Sequence, residues 1–494
     1  MSKAAEKAAR RAAAKRTQTK KTIITVAIIL AVLILITPLA LFSSGAVYRM
    51  ANAVTVGDET YTPADFNFYY YSSYQTIYNN LYSTYGDYVS MILDTSVPLD
   101  EQQYSEDQTW ADYIKESTVA NIENVSMLNA EAAAAGFTLS AEQEEELAGL
   151  ISGTYAAAEA YGFSKNGYLQ AVYGAGMNAA IYEANTRKAF IAETYAAQIA
   201  EGMTYTAEEL DAAYQADPNA YEYVSYSIYS INGAAAEGED ADAAKAAAKA
   251  EAESIIARLA AGENFADVIY DIVDEESKSY YEDDSATRTN NAPYANVSTL
   301  PYGDWLFDAE RASGDAEIFE QTYGYTVVQF IEREDNLYNS RDFRNILITA
   351  EAGEDGTVTA EAEAAALAEA QEILAQWKAG EATAESFGAL ADEHSDDTAV
   401  VEGGLYTNVP RNQVVTEVNN WLYDDARQTG DAEIVVSEFG CHILYYVGEN
   451  AEVRTQLIEG ALRTEEYNAW VAERMEGFTA QISSFGYNMA GKIA

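Results

Sequence analysis

Between Thr22 and Phe42 the chain offers about 21 uncharged, mostly aliphatic residues in a row, broken only by Pro38. A helix of roughly 20 such residues spans a bilayer. The pattern then changes. Val54–Tyr61, VTVGDETY, alternates around a Gly-Asp turn and predicts a short hairpin. Thr62 follows as a helix cap and Pro63 suits the first helical position. Phe66, Tyr70, Tyr74, Tyr78 and Tyr82 then recur every four residues, which is an aromatic stripe along one helix face. Such a stripe either packs in a core or presents a peptide-binding surface. From Asp107 to Glu201 the periodicity stays helical, with Gly136, Gly162, Gly174 and Gly202 at helix ends and capping boxes at Ser140–Gln143 and Thr206–Glu209.

Beyond residue 220 the pattern repeats. DWLFDAERASGDAEIFEQTYGYTVVQFIE from Asp304 and the stretch from Asn420, with WLYDDARQTGDAEI, share Trp305/Trp421, Leu306/Leu422, Arg311/Arg427, a GDAEI run and Gly324/Gly440, 116 residues apart. Upstream, Ser227-Ile precedes Asn345-Ile by 118 residues, as AEAESIIARLAAGE precedes AEAQEILAQWKAGE. Each unit reads strand, long helix, second helix, loop, Trp-Leu turn and final β-branched strand. A domain-sized period marks a tandem duplication rather than a solenoid, whose periods run to about 20–50 residues. After the second unit, Glu452–Ile482 reads as a helix with Leu457, Leu462, Trp470, Val471 and Met475 apolar. It needs a partner, and the N-terminal helices supply one.

Length fits roughly three domains. Charge sharpens the picture: the formal net charge is −50, yet the first 21 residues carry eight Lys/Arg against one Glu. By the positive-inside rule this basic arm, 1–21, stays cytoplasmic, 22–42 is a transmembrane signal anchor, and the remainder lies outside. Cleavage after Ala51-Asn-Ala53 is the competing reading, but a signal peptide's apolar region runs only about 7–15 residues and this motif lies far beyond it. The acidic body should repel nucleic acid. The one cysteine, Cys441, allows no intrachain disulfide framework.

VTVGDETYTPADFNFYYY resembles the start of the helical chaperone domain of PrsA-like and SurA-like extracytoplasmic foldases, and both repeats resemble parvulin-type peptidyl-prolyl isomerase domains. FRNILI, KAGEATAESFGALADEHSDD, GGLYTNV and FGCHILYY carry the second likeness. The resemblance implies an α+β chain: an all-helical domain (54–218), a degenerate parvulin-like domain (221–337), a second one (341–449) and a terminal helix (451–490) packing back on the first. It implies isomerase and chaperone activity on unfolded or partly folded exported polypeptides. The alternative is a holdase that binds clients without catalysis.

Carried over position by position, the resemblance places Asn345 where a histidine usually heads the first strand, Asp397 in the central loop and His442 on the last strand. Val414 and Val418 stand where Met and Phe usually flank the proline ring, with Leu405, Tyr423 and Phe439 as further walls. In the first repeat, Ser227 and Thr326 replace the two histidines, which suits a structural or substrate-holding copy. Isomerisation needs only rotation about a bond whose barrier is about 18–20 kcal/mol. Asn345, Asp397 and His442 could form a polar floor favouring the twisted amide, Asp397 fixing the imidazole tautomer. On the residues alone, His442 also reads as a satisfied strand histidine and Asp397 as a turn residue, while His394 reads as a solvated helix end. Cys441 and His442 are adjacent on a strand, point to opposite faces and cannot pair. No metal or cofactor motif occurs, so none is expected.

Overall fold

The structure is a computed structural model that describes residues 44–235, 240–322, 324–353, 358–399 and 403–491. The basic arm and the apolar run 22–42 lie outside the described residues. No described helix is long and apolar enough to cross a membrane. The chain divides into two compact units, Met1–Met203 with Thr464–Ala494, and Thr204–Arg463. The dividing points thus fall inside the expected 54–218 segment and inside the terminal helix.

In the first unit, β1 (Val54–Val56) and β2 (Glu59–Tyr61) form the predicted hairpin, with Gly57 left-handed in its turn. Helix α1 (Pro63–Tyr85) starts from a full capping box. The Thr62 hydroxyl accepts from the Asp65 amide, and the Asp65 carboxylate accepts from the Thr62 amide. Thr62→Ala removes that cap and should lower stability by about 1 kcal/mol, read as a lower denaturation midpoint for the first unit. Its aromatic stripe divides along its length. Phe66 and Tyr70 are buried, whereas Tyr82 is 51% exposed. Residues 66–70 are buried on every side of the helix, because α2 (Trp110–Ala134), α4 (Lys165–Tyr173) and α5 (Ala179–Glu201) surround that end. Between α2 and α4 runs α3 (Ala141–Ala160), which opens on the predicted capping box at Ser140 and packs on α4 and α5.

The second unit holds the two repeats. The first contains β3 (Tyr223–Asn232), α6 (Ala241–Ala260), α7 (Phe265–Ile272), β4 (Arg288–Pro293), β5 (Ala316–Gln321) and β6 (Gly324–Glu334). The second contains β7 (Asn339–Ile348), α8 (Ala360–Ala379), α9 (Ala384–His394), β8 (Leu405–Val409), α10 (Thr416–Leu422), β9 (Ala432–Ser437) and β10 (Gly440–Glu452). Each makes an antiparallel four-stranded sheet, β4-β3-β6-β5 and β8-β7-β10-β9. This α+β architecture follows from alternation. Ile346, Ile348, Cys441, Ile443 and Tyr445 point to the face covered by α8 and α9, where Trp377 and Phe387 complete the core. Phe343, Leu444 and Tyr446 point the other way, onto Val418, Trp421 and Leu422 of α10.

Helix α11 (Val453–Arg474) starts in the second unit and ends in the first. There Trp470, Val471 and Met475 pack on the helical core, and Arg474 pairs with Glu131 at 3.2 Å. The predicted helix to Ile482 stops early. Gln481–Ile482 form β11, which pairs antiparallel with β1 and completes a three-stranded sheet. Gly477, left-handed at φ 97°, lies in the turn between the helix and the strand, where the Phe478 amide donates to the Met475 carbonyl at 3.0 Å.

Candidate active site of the second repeat

Register brings the site together. His442 on β10 stands opposite Leu347 on β7 and Val435 on β9, and Leu444 stands opposite Asn345. Cross-strand partners share a face, so Asn345 and His442 lie together on the side away from α8 and α9, and Cys441 lies on the other. Asp397 arrives from the loop after α9. That loop is stitched to the end of β7: the Asp396 amide donates to the Leu347 carbonyl at 2.8 Å, and the Leu347 amide donates to Ser395 Oγ at 3.1 Å. The Asp396 carboxylate accepts from Thr349.

The hydrogen bonds then have one self-consistent direction. An ionised carboxylate only accepts. Asp397 Oδ2 takes bonds from Asn345 Nδ2 (2.8 Å) and from the Tyr406 hydroxyl (2.7 Å). With its NH2 group so fixed, Asn345 turns Oδ1 to His442 Nδ1 at 3.1 Å. Nδ1 must therefore carry the proton, and Nε2 accepts from the Ser437 hydroxyl at 2.8 Å. Ser437 Oγ in turn accepts from the Phe439 amide at 3.1 Å. The imidazole is neutral in this arrangement. Burial pushes its pKa below the ordinary 6.5, against the pull of Asp397 and Glu417. Burial, and secondarily the bond to Asp397, pushes the Tyr406 phenol upward.

Several expectations change. Asp397 does not touch the imidazole. Asn345 stands between them and sets the tautomer. Leu405 pairs with Arg344 and shares its face, opposite to His442. Phe439 is 56% exposed at the β9–β10 turn, bordering a cavity of about 510 Å³ on the α8 side with Val436, Leu367 and Cys441. Val418 is only 2% exposed inside the cluster beneath the sheet, so it supports the face rather than presenting a wall. Val414 and Tyr423 are partly buried against the same cluster, and Tyr423 donates to the Val409 carbonyl at 2.7 Å. His394 ends α9, 3.8 Å from the Glu393 carboxylate.

Ser437, Tyr406, Leu347 and Val435 belong to the site without having been singled out in the sequence. Tyr406 stacks on Phe343 at 4.9 Å, which aims its hydroxyl at Asp397. The signal for Ser437 was the hairpin register: a strand turning between Ser437 and Gly440 places Val435 and Ser437 on the face of His442.

The first repeat differs in register from its expected reading. Ile228, not Ser227, stands opposite Val328 as Asn345 stands opposite Leu444. The two counterparts are 117 residues apart, and the one-residue slip would have turned every side chain of β3 to the wrong face. Thr326 takes the place of His442 and bonds Ser230 at 3.1 Å. A cavity of about 460 Å³ opens there between Ile228, Ser230, Leu300, Pro301, Tyr302 and Thr326, with no histidine or carboxylate among its described lining residues.

Residues 346–448 match the PPIC-type PPIASE domain of the Rotamase family. No curated protein matches. Among solved structures, the peptidylprolyl isomerase PrsA of Bacillus cereus is 21% identical, with 28% of this chain and 49% of that one covered and a TM-score of 0.19. The foldase protein PrsA of Streptococcus pneumoniae is 14% identical over 58% of this chain and 88% of its own, with a TM-score of 0.19. PrsA of Bacillus subtilis is 13% identical over 57% and 93%, with a TM-score of 0.16. This chain spans about half the length of the first of these structures. The functional reading therefore starts from the domain match, which runs over residues 346–448 and takes in both Asp397 and His442.

Proposed function

We propose that this chain is a membrane-anchored, extracytoplasmic foldase whose second repeat isomerises Xaa-Pro bonds and whose helical domain and first repeat hold unfolded exported polypeptides. The observation that carries the isomerase part is the continuous chain Asp397–Asn345–His442–Ser437, in which Asp397, His442 and Ser437 lie within the matched residues 346–448 and Asn345 directly precedes them. A twisted prolyl amide loses resonance, and a preorganised polar floor beside apolar Leu347 and Val435 favours it without paying for reorganisation in the transition state. The anchor rests on the basic arm and the apolar run 22–42, and the domain plan is that of 54–218, 221–337, 341–449 and 451–490.

A second reading, a holdase that catalyses nothing, is favoured by Asn345 in place of histidine and by the first-repeat cavity, whose described lining holds no histidine or carboxylate. Refolding of a proline-limited test protein separates the two. The full chain in detergent should both suppress aggregation and shorten the slow proline phase, whereas suppression with an unaltered slow phase selects the holdase.

The neutral imidazole predicts a pH dependence. Because the folded-state pKa of His442 lies below its unfolded value, the unfolded chain binds the proton first. The stability that His442 contributes is present above about pH 6.5 and is lost as pH falls through the lower folded value. Protonation at Nε2 also ends its acceptance from Ser437. Isomerase activity should be flat near neutrality and fall on the acid side, and His442→Gln should lack that acid limb. A pH profile of kcat/KM checks both statements.

A further inference from the structure

The loop Pro410–Val415, between β8 and α10, carries Val414 and Val415 into the cluster under the His442 face. Inside its own repeat it is held by Asn419, which accepts from the Asn412 amide at 2.7 Å and donates to Asn412 Oδ1 at 3.1 Å. Its other side is held by the first repeat. Asn291 on β4 donates through Nδ2 to the Arg411 carbonyl, and Asn412 Nδ2 donates back to Asn291 Oδ1 at 3.4 Å. The Arg411 guanidinium reaches Glu334, at the end of β6, at 3.5 Å. It also lies 4.4 Å from the Tyr338 ring and 5.4 Å from the Tyr423 ring. Between the repeats, the Tyr338 hydroxyl accepts from the Arg411 amide at 3.1 Å.

The backbone is shaped for this grip. Asn291 is left-handed, with φ 50°, as is its counterpart Asn408 in the second repeat, with φ 55°. Asn412, its partner, is left-handed too, with φ 60°. Asparagine tolerates that conformation better than other residues with a Cβ. Both asparagines therefore carry a conformational cost that their mutual amide contacts offset. The Arg411 charge sits between a carboxylate and two aromatic faces, whose ring quadrupoles attract the guanidinium.

We infer that the first repeat, which lacks the polar floor, is a positioning element for the substrate groove of the second: Asn291 and Glu334 grip Arg411 and Asn412 and so fix the loop that carries Val414. The inference rests on the isomerase reading only for its catalytic readout. A loop fixed before substrate arrives spares the ordering cost on binding, so the clamp acts on substrate affinity more than on turnover.

The test compares the full chain with Asn291→Gly, Glu334→Ala and the double variant. Glycine keeps the left-handed backbone while removing the amide, which protects the fold of β4, and Arg411→Met serves as an independent second variant. Hydrogen exchange of a peptide covering 410–416 should speed up at least about tenfold in the double variant, with β7 and β10 unchanged. KM for an Ala-Ala-Pro-Phe peptide should rise several-fold at a kcat within about twofold, the pattern expected when binding alone is weakened. Unchanged exchange overturns the clamp, as does faster exchange at an unchanged KM. If the unaltered chain isomerises nothing, the isomerase reading fails separately. The affinity for the same peptide, titrated by NMR, then replaces KM and decides the clamp on the same terms.

Discussion

Adding one methyl group at Gly404 should destabilise the second repeat by more than about 3 kcal/mol and abolish its activity. Gly404 is left-handed at φ 61°, and a Cβ there would stand 2.1 Å from the Asn345 carbonyl oxygen and 3.1 Å from Ala391 Cβ. The left-handed backbone alone costs an alanine about 1–2 kcal/mol. The carbonyl contact is worse, because backbone cannot rotate away as a side chain can. β8 would have to leave β7, breaking the bond from the Asn345 amide to the Gly404 carbonyl at 2.8 Å. Asn345 would then lose its place between Asp397 and His442. Gly430→Ala is the control, since Gly430 is left-handed at φ 94° with open space where the Cβ would go. It should cost only the backbone share. Denaturant titration followed by fluorescence, with Trp377 and Trp421 both in this repeat, measures the difference.

Asp397→Ala should lower kcat/KM about a hundredfold, equivalent to about 2.7 kcal/mol of lost transition-state stabilisation. One carboxylate oxygen satisfies both Asn345 Nδ2 and the Tyr406 hydroxyl. Its removal leaves two donors unpaired, at about 1–3 kcal/mol each where water cannot reach them. It also frees the Asn345 amide to turn over. His442 Nδ1 would then face an amide NH2 instead of an acceptor, and the proton would no longer be held on that nitrogen. Asp397→Asn keeps one acceptor oxygen without the charge and should lose only about tenfold, roughly 1.4 kcal/mol. Equal activity in all three forms would remove Asp397 from the mechanism.

Much of the fold is legible in the chain because local rules and packing agree there. The Gly-Asp hairpin, the Thr62 cap and the duplicated strand and helix order all follow from residues that act on their neighbours. So does the return of the terminal helix, since Trp470, Val471 and Met475 demand a core. The site was only half legible, for a geometric reason. Strand alternation places Cys441 and His442 on opposite faces without further information, but which residues stand across from them depends on register. Register in turn depends on loops whose lengths differ between the repeats. Ser227 was therefore one position off. Leu405 was assigned to a face its pairing with Arg344 excludes, and the hydroxyls of Ser437 and Tyr406 went unnoticed. The resemblance makes Phe439 a groove wall, yet the turn between β9 and β10 leaves it exposed beside the cavity on the α8 side. The strand Gln481–Ile482 looked like more helix because only its pairing with β1 makes it a strand.

The measurement that tests the central claim most directly is the rate of cis/trans exchange of an Xaa-Pro peptide, followed by NMR exchange spectroscopy with the full chain in detergent. The same measurement is made with His442→Ala and Asp397→Ala variants shown by near-ultraviolet circular dichroism to be folded. Uncatalysed exchange takes tens to hundreds of seconds, so catalysis brings it onto the timescale of the experiment. The account predicts clear acceleration by the unaltered chain and its loss in both variants. No acceleration by the folded chain, or equal acceleration by all three proteins, would contradict it.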